Sequence, residues 1–453
     1  MSGAKRLTAI GLLKKMNQQM PDSLKRAAAP MIRRRLVGNA VFLGQYRALQ
    51  GVAALCEEQT SIRQEKKLRE LLCFAGKAVP YYTELFAAIG CDPSVDDPKG
   101  VLASIPLLTK DVLRERFDDL QAAEVGDFYE ATTGGSTGAP VRVNLERDSI
   151  YREKAFIYSF WSRFGYDWKT SRLVTFRGID FGGKIKKENP LYAEVLLNPF
   201  LLTEKTIGRY IDVIDSYGAD FIQGYPSAIR NFCRLLELVG CRPERKIRCV
   251  FFISENVDEA TEAYVQSVLG CPCRAFYGHS ERCVFAEQVD DGLVYRFNAD
   301  YGFTEICEHG DGNIVCTGYL NRRMPLIRYA VDDYATPVGG GLFHIEGHHT
   351  GEDLIGRGGE RITQTALNFH DGTFDLAEGG YQLIQERPGE VECRVLSSRR
   401  LEVGELAAMS RSLAAKTRDS IVWTVVQDKP FVLTSRGKAK TVVQLIDDTK
   451  VER

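Results

Sequence analysis

Helical and strand patterns alternate through the middle of this 453-residue chain, and this alternation restricts the fold more than any other feature of the sequence. The stretch TIGRYIDVIDSYG is typical: it carries an apolar stripe with helical spacing and ends at Gly218. A short apolar strand pattern follows, and the same change from helix to strand occurs twice more. Strands that are separated by helices must be joined by crossover connections, so we predict an α/β fold with a largely parallel sheet. Its chemistry is expected in the loops at the strand ends.

The chain is too long for one typical hydrophobic core, and its patterns divide it into three parts. Residues 1–64 are predicted to form a helical N-terminal extension to which the sequence assigns no chemistry. Residues 65–356 are predicted to form a large domain with mixed and parallel sheets and crossover helices. Residues 357–453 contain short strand patterns around one helix, which predicts a small α+β domain. The stretch IGRGGER predicts a hinge between the two domains, because glycine permits large backbone rotations.

Composition and charge exclude several classes of protein. The chain is 44% hydrophobic and 26% charged, as is usual for a soluble globular protein, and its formal net charge is −1. That charge gives no indication of a polyanionic partner, so nucleic acid is not expected. No stretch approaches the roughly 20 apolar residues that span a bilayer, and the basic N-terminus lacks a signal-peptide pattern. We therefore expect a cytoplasmic protein without a transmembrane segment.

Twelve cysteines are scattered along the chain without the dense spacing of a disulfide-rich secreted protein. Several lie in helix-like apolar patterns, where a reduced thiol behaves as a small hydrophobic residue. Only Cys271 and Cys273, one residue apart, suggest a metal. A zinc site and a pair of buried thiols are the two alternatives for them.

The stretch ATTGGSTGAPVRV, residues 131–143, is the most informative about chemistry. Its glycines allow the backbone to fold tightly and direct N–H groups inward, and its hydroxyl side chains add donors, so the loop can wrap a triphosphate. The residues concerned are Thr132, Thr133, Gly134, Gly135, Ser136, Thr137 and Gly138. The loop lacks the Gly-Lys-Ser/Thr ending of a Walker A motif, and a strand pattern follows it rather than a helix. From composition alone, a Gly/Ser/Thr turn in a hairpin is the alternative.

TTGGSTGAP resembles the phosphate loop of the adenylate-forming superfamily, which contains acyl-CoA synthetases, luciferases and the adenylation domains of nonribosomal peptide synthetases. More narrowly, it resembles the phenylacetate–CoA ligase branch and its CapK-like relatives. Further segments match that branch in the same order: LRELLCFAGKAVPYYTELFAAIGCDP with IPLLTKDVLRE, YGHSER (277–282), MPLIRYAVDDYA (324–335) and TSRGKAK (434–440). The resemblance covers most of the chain from about residue 65.

The resemblance implies that particular residues bind the nucleotide of ATP. Tyr277, followed by Gly278, would stack on adenine, whereas its alternative role is that of a core aromatic residue at a strand end. Asp333 would accept hydrogen bonds from the ribose hydroxyls, and its neighbour Asp332 could be confused with it. Arg357 would contact the nucleotide near the hinge.

The same resemblance implies three catalytic residues. Glu281 would hold Mg²⁺ at the phosphates, since a hard cation prefers carboxylate oxygen. Lys438 would reach the α-phosphate, where negative charge develops as the substrate carboxylate displaces pyrophosphate. Thr137 of the phosphate loop would act beside them. Without the resemblance, Lys438 would be assigned to a solvated basic turn and Glu281 to the surface.

Candidates for the acid-binding pocket lie between these motifs. FIQGYPSAI contains Gly224 and Tyr225 and resembles the segment beside the acyl site of the family. His279 and Ser280, within the YGHSER motif, are the other candidates, and residues 176–183 could form a further wall. The class of acid, whether aryl, fatty or uronic, is left open.

Two departures from the family pattern concern the phosphate loop and the hinge. Val141 and Arg142 follow the loop proline, where the superfamily often has lysine. The hinge reads Gly-Arg-Gly-Gly-Glu, so the acidic residue usual after Gly-Arg is either lost or displaced to Glu360. This second departure puts the control of domain rotation in doubt.

The function implied by the resemblance is a two-step ligase. ATP and Mg²⁺ would activate a small carboxylic acid as its acyl-AMP, and the acyl group would pass to coenzyme A. Transfer to an amine is the close alternative, and a catalytically silent nucleotide-binding protein is a third. Arg399 and Arg400 are the nearest candidates for the coenzyme A phosphates, and a solvated strand end explains them equally well. Association into a homodimer is left open.

Overall fold

The computed structural model describes residue 33 and the ranges 37–52, 55–132, 141–177, 183–289, 292–307, 312–348, 354–359, 361–362, 367, 374, 376–377, 380–417, 419–427, 429–433 and 439–446. Within these ranges the chain forms a large domain built on one long sheet and a small domain at its C-terminal end. No helix in these ranges is long and apolar enough to cross a membrane.

A twelve-stranded sheet forms the centre of the large domain in the part of the chain that is described. A separate hairpin, β1 (Phe128–Thr132) and β2 (Arg142–Glu146), precedes it. The strands of the sheet are β3 (Leu173–Phe176), β4 (Lys186–Asn189), β5 (Glu194–Leu197), β6 (Phe221–Gly224), β7 (Cys249–Phe252), β8 (Cys273–Gly278), β9 (Phe285–Gln288), β10 (Val294–Phe297), β11 (Gly302–Ile306), β12 (Asn313–Gly318), β13 (Tyr329–Gly339) and β14 (Leu342–His348).

These strands are ordered β11-β12-β13-β14-β10-β9-β8-β7-β6-β3-β5-β4. The run from β8 to β5 is parallel, and the pairs on either side of it are antiparallel. The predicted α/β fold is confirmed, and its parallel half continues directly into an antiparallel half through the pairing of β8 with β9.

The helices of the described residues are α1 (Ala40–Val52), α2 (Glu57–Ala78), α3 (Pro80–Ile89), α4 (Pro98–Ser104), α5 (Lys110–Glu115), α6 (Ser149–Ser162), α7 (Ile207–Tyr217), α8 (Pro226–Val239), α9 (Glu259–Leu269) and α10 (Val403–Lys416). As the sequence predicts, α7, α8 and α9 connect the parallel strands and end at Gly218, Gly240 and Gly270, each in the left-handed conformation that favours glycine. Their buried faces and the parallel strands form one hydrophobic cluster.

The helices before β1 pack on the rest of the large domain. Buried apolar residues of α2 and the helices that follow it form a core with the antiparallel half of the sheet. On α1, Phe42 is fully buried, with its ring centroid 6.0 Å from that of Tyr158 and 5.1 Å from that of Trp168. The boundary between residues 64 and 65 falls inside α2. We therefore propose that the large domain begins at α1.

The small domain contains a four-stranded sheet, ordered β19-β18-β17-β20, against which α10 packs. Its strands are β15 (Leu354–Ile355), β16 (Arg361–Ile362), β17 (Gly380–Arg387), β18 (Glu390–Leu396), β19 (Val422–Gln427) and β20 (Val442–Gln444), of which β15 and β16 form a separate pair. Leu354 is buried in its core, and the Gln385 side chain bonds the backbone N–H and carbonyl of Ile355, both at 2.7 Å. Ile355, the first residue of the predicted hinge stretch, is thus bonded to β17.

Candidate active site

The carboxyl ends of the parallel strands meet at one edge of the central sheet. Phe176 of β3 pairs with Gly224 of β6, which in turn pairs with Phe252 of β7. Gly224 has no room for a side chain, because a Cβ atom there would lie 2.7 Å from the carbonyl oxygen of Phe176. Tyr225 follows as the N-cap residue of α8 and is 5% exposed. The two residues predicted to border the acid therefore lie at the edge where α/β enzymes bind ligands.

A hydrogen bond joins Tyr277 at the end of β8 to Asp333 on β13. The Tyr277 hydroxyl donates to Asp333 Oδ2 at 2.7 Å, and it also lies 3.0 Å from His279 Nε2. The rings of Tyr277 and His279 meet edge to face, with centroids 5.3 Å apart. Gly278 and Ser280, on either side of His279, are exposed. Residues that the resemblance assigns to adenine, to ribose and to the acid are thus in one cluster.

Glu281 lies next to this cluster and is 7% exposed. The Tyr329 hydroxyl donates to its Oε1 at 3.3 Å, and His279 Nδ1 is 3.7 Å from its Oε2. Tyr329 is fully buried and begins β13, the strand that also carries Asp333. Since a carboxylate accepts about four hydrogen bonds or ligand contacts, Glu281 has capacity for a cation. Mg²⁺ prefers such oxygen donors.

Mg²⁺ is usually held by one or two carboxylates together with substrate phosphates and water. Among the described residues, no group of three or more His, Cys, Asp or Glu side chains is placed to hold a metal ion by itself. A single buried carboxylate beside the nucleotide cluster fits a metal that arrives with phosphate, and Glu281 is the residue that could hold it.

The electrostatic surroundings set the protonation states of this cluster. Burial lowers the pKa of His279, but its contact with Cys283 and the carboxylates of Glu281 and Asp333 outweigh burial and raise it to about 9. Burial and the charge of Asp333 raise the pKa of Tyr277 well above its usual range. At neutral pH His279 is therefore a cation and Tyr277 a neutral donor.

The raised pKa of His279 predicts a pH-dependent stability. Its pKa rises from the usual 6.5 to about 9 in the folded chain, so the folded state binds the proton more tightly than the unfolded state. The resulting stabilisation, about 3 kcal/mol, should be complete below pH 6.5 and lost as the pH rises through 9. The thermal midpoint should therefore fall more steeply between these values in the wild type than in His279→Gln. Parallel pH profiles of the two proteins would contradict this assignment.

Sequence reasoning does not single out Arg282, yet this residue anchors the loop that carries Glu281. Its φ of 54° lies in the left-handed region. Its Nε donates to Glu153 Oε2 at 2.7 Å and its Nη1 to Ser149 Oγ at 2.8 Å, both on α6. The sequence gives one signal, an arginine directly after the motif glutamate, whereas its partners lie far away in the chain.

Glu255 is a second residue that sequence reasoning missed. It follows β7, directly after Ser254, which has a φ of 63°. Its two carboxylate oxygens accept hydrogen bonds from the backbone N–H and the hydroxyl of Ser227, both at 3.1 Å, at the start of α8. An acidic residue directly after the apolar run IRCVFFIS was the available signal for a carboxylate at this edge of the sheet.

The cysteines near the site are not the ones that the sequence suggests. Cys283 and Cys316 have their Sγ atoms 2.7 Å apart, and Cys283 Sγ is 3.8 Å from His279 Nδ1. Cys271 and Cys273 are buried elsewhere in the core, where burial raises the pKa of Cys271 to about 12 and that of Cys273 further. Among the described residues, no group of three or more His, Cys, Asp or Glu side chains surrounds them.

The phosphate-loop residues Thr133, Gly134, Gly135, Ser136, Thr137 and Gly138 lie outside the described residues, but both flanks of the loop are described. Thr132 ends β1 and pairs with Arg142 of β2, and the pairing continues to Phe128 and Glu146. The strand predicted after the loop is thus confirmed as β2. The loop connects the two strands of a hairpin.

Lys438 also lies outside the described residues, and the two flanks of its segment are held together. Leu433 pairs with Ala439. Gln382 on β17 is fully buried, and its side-chain nitrogen donates to the carbonyls of Val432 at 2.9 Å and of Lys440 at 2.8 Å. Its oxygen accepts the N–H of Val432 at 2.7 Å. Gln382 therefore fixes both ends of the Lys438 segment to β17.

Two arginines that the sequence analysis offers as candidates for binding ligands are held within the small domain. The Arg357 N–H donates to the carbonyl of Ser420 at 3.0 Å, and its exposed side chain lies over Gly389. Arg399 donates to the two carboxylate oxygens of Glu405 at 2.9 and 2.5 Å. Its hydrogen bond to Glu405 lowers the pKa of that carboxyl to about 2. A role for Arg399 at a phosphate would require this pair to break.

Comparison with solved structures defines the class of fold. 2-Hydroxyisobutyryl-CoA ligase in the postadenylation state, in complex with R3-HIB-AMP, overlays with a TM-score of 0.62 at 15% identity, covering 85% of this chain and 89% of that chain. The same ligase in the thioesterification state, in complex with 2-HIB-AMP and CoA, gives a TM-score of 0.50 at 16% identity and covers 87% and 91%. The chain therefore has the fold of AMP-forming acyl-CoA ligases, and the resemblance to adenylate-forming enzymes is confirmed at the level of the fold.

A comparison of sequences identifies a similar protein. The chain is similar to protein CapK of Staphylococcus aureus, with 21% identity over 282 residues, and the match covers 60% of this chain and 61% of CapK. The match thus spans less than two thirds of CapK, and it agrees with the CapK-like resemblance of the motifs. No family model matches the chain.

Proposed function

We propose that this chain is an ATP-dependent ligase that joins a carboxylic acid to AMP and then transfers the acyl group to coenzyme A. The contact of Tyr277 with Asp333 beside the buried Glu281 is the observation that carries the proposal. The resemblance assigns these three residues to adenine, ribose and Mg²⁺, and the fold is that of AMP-forming ligases.

Tyr277 and Asp333 would bind the nucleoside part of ATP. An aromatic face stacks on adenine, and an ionised carboxylate accepts hydrogen bonds from ribose hydroxyls. The bond from the Tyr277 hydroxyl to Asp333 supports this role, because it restrains the rotation of both side chains before the nucleotide arrives. Arg357 would approach the nucleotide from the small domain, and residues 132–138 would bind the phosphates.

Glu281 would hold Mg²⁺ close to those phosphates. The bound ion would supply positive charge that stabilises the phosphate oxygens during the reaction. His279 lies 3.7 Å from Glu281 Oε2 and is protonated at neutral pH, so a metal at Glu281 would compete with it for the same carboxylate. Binding of Mg²⁺ should therefore lower the pKa of His279 and reduce the fraction of molecules in which this residue is protonated.

The acid would lie along Gly224 and Tyr225, with His279 and Ser280 on the adjoining loop. The positive charge on His279 supports this placement, because a carboxylate substrate must approach a region that also contains the carboxylates of Glu281 and Asp333.

In each of the two half-reactions, one bond forms and one bond breaks. In the first, a substrate carboxylate oxygen attacks the α-phosphorus of ATP, an O–P bond forms, and the bond to pyrophosphate breaks. Lys438 would stabilise the charge that develops on the α-phosphoryl oxygens, and Thr137 would donate a hydrogen bond to the phosphates. In the second, the thiolate of coenzyme A attacks the acyl carbon, a C–S bond forms, and AMP leaves with the pair of electrons of the broken C–O bond.

We expect ATP–pyrophosphate exchange that requires both Mg²⁺ and a carboxylic acid. The measurement uses a panel of aryl, hydroxy, fatty and uronic acids with labelled pyrophosphate. Reactions without acid and reactions with a chelator are the controls. If ATP binds but no acid of the panel supports exchange, the chain is a silent nucleotide-binding protein and the proposed function is wrong.

The acceptor is identified from the mass of the product. The best acid is incubated with ATP and either coenzyme A or a mixture of amines, and we expect an acyl-CoA. Support for coenzyme A comes from the neighbouring ligase solved with CoA, although Arg399 is already paired with Glu405. An amide without acyl-CoA would replace the thioester product and leave the adenylation step intact.

A further inference from the structure

Two arginines on one face of α8 reach the small domain. Arg230 Nη2 donates to the carbonyl oxygen of Ala377 at 3.0 Å, and Arg234 Nη1 donates to that of Ser397 at 3.2 Å. Ala377 is 1% exposed in the core of the small domain, and Ser397 is 3% exposed. Residues four apart lie on the same face of a helix, so α8 makes both contacts along one line.

The large domain orients each of these guanidinium groups. Arg230 Nη1 donates to Thr261 Oγ1 on α9 at 2.7 Å. Arg234 Nε and Nη2 both donate to Asn231 Oδ1, at 3.2 and 3.1 Å. These hydrogen bonds hold each guanidinium group against the large domain, so that Arg230 Nη2 and Arg234 Nη1 point at the small domain. The two side chains therefore lose little further conformational entropy when they bind its carbonyls.

These contacts lead to the segment that contains Lys438. The carbonyl of Ala377 that accepts from Arg230 also accepts from the N–H of Gly380, at 2.8 Å, and Gly380 is the first residue of β17. Two residues further along β17, Gln382 bonds both flanks of the Lys438 segment. The helix α8, which begins beside the acid-binding residues, is thereby connected to the strand that holds this segment.

We propose that Arg230 and Arg234 are positioning residues that dock the small domain for acyl-AMP formation, and that both bonds open before the second half-reaction. This inference rests on the proposed function. The TM-score with 2-hydroxyisobutyryl-CoA ligase is 0.62 for its postadenylation state and 0.50 for its thioesterification state. The two comparisons cover 85% and 87% of this chain. The arrangement held by the two arginines is therefore nearer to the postadenylation state of that ligase than to its thioesterification state. Both acceptors are main-chain carbonyls, so the small domain cannot rotate away without losing both bonds.

The test compares the wild type with Arg230→Met, Arg234→Met and the double variant. Methionine keeps an unbranched stem and removes every donor. Arg209→Met is the matched control, because Arg209 is an exposed arginine on the neighbouring helix α7. We expect pyrophosphate exchange to fall about tenfold in each single variant and further in the double variant, since a charge-assisted hydrogen bond is lost each time. Conversion of supplied acyl-AMP should change by less than about twofold, because that step follows undocking.

Hydrogen–deuterium exchange gives a measurement that does not depend on the reaction. We expect faster exchange of the amides at the start of β17 in the double variant and unchanged exchange in Arg209→Met. The proposal would be overturned if the variants slowed both half-reactions equally. It would also be overturned if hydrogen–deuterium exchange at β17 were unchanged in the double variant. If no acid supports pyrophosphate exchange in the wild type, the proposed function fails. Hydrogen–deuterium exchange at β17 alone then decides whether the two arginines dock the small domain.

Discussion

Lys438→Ala is expected to lower acyl-AMP formation by about 10²-fold or more, as the loss of a preorganised partner for a developing charge usually does. The α-phosphoryl oxygens gain negative charge as pyrophosphate leaves, and a lysine ammonium is a compact charge that can stabilise them. Gln382 and the pairing of Leu433 with Ala439 hold the flanks of the segment through backbone groups, so they should survive the substitution. Pyrophosphate exchange measures the loss.

Conversion of supplied acyl-AMP should suffer much less in Lys438→Ala, because pyrophosphate has already departed. Lys440→Ala is the matched control: it lies two residues further along, and its carbonyl rather than its side chain bonds Gln382. Similar losses in both half-reactions of Lys438→Ala would indicate a folding defect or a wrong assignment of the lysine.

Glu281→Gln should lower pyrophosphate exchange by about 10²-fold at low Mg²⁺ and move the Mg²⁺ dependence to higher concentration. Glutamine keeps the shape of the side chain and can still accept the hydrogen bond of Tyr329, whereas the anionic oxygen that attracts the metal is lost. The pKa of His279 should also fall, because the Glu281 carboxylate is one of the groups that raise it. Initial rates of exchange over a range of Mg²⁺ concentrations give the first result, and imidazole NMR signals give the second.

Glu287→Gln is a suitable control for this substitution. Glu287 is also 7% exposed, and it lies on β9, where it pairs with Arg163 at 2.6 Å. An unchanged Mg²⁺ dependence in Glu281→Gln would remove Glu281 from the proposed metal site, whatever happens to the maximal rate.

The parallel half of the sheet could be predicted because its signals are local. The stripes of α7 and α8, the proline at the start of α8 and the glycines that end the helices all lie within single turns of the chain. The antiparallel half has no such local signal for its order, since β14 lies between β10 and β13 and depends on contacts between distant segments. For the same reason the sequence gives no sign that α1 packs on α6.

The candidate site was predictable to the extent that its residues lie in short motifs. Tyr277, Glu281 and Asp333 were proposed in this way. In the structure the Tyr277 hydroxyl bonds Asp333 and contacts His279, and His279 lies 3.7 Å from Glu281. Tyr329 lies inside a matched segment, but only its contact with Glu281 shows what it does. Gln382 does not belong to a recognisable motif. Its side chain bonds the backbone of a segment about fifty residues away in the chain, and no local sequence pattern predicts such a contact.

A chain shortened to begin at residue 65 would keep every motif of the adenylate-forming resemblance and would lose α1. Removal of Phe42 would uncover the rings of Tyr158 and Trp168, which belong to an aromatic cluster between α6 and the sheet. An apolar surface of that kind promotes self-association in water. The residues that carry the proposed chemistry and the residues that cover this aromatic cluster therefore begin at different points of this sequence.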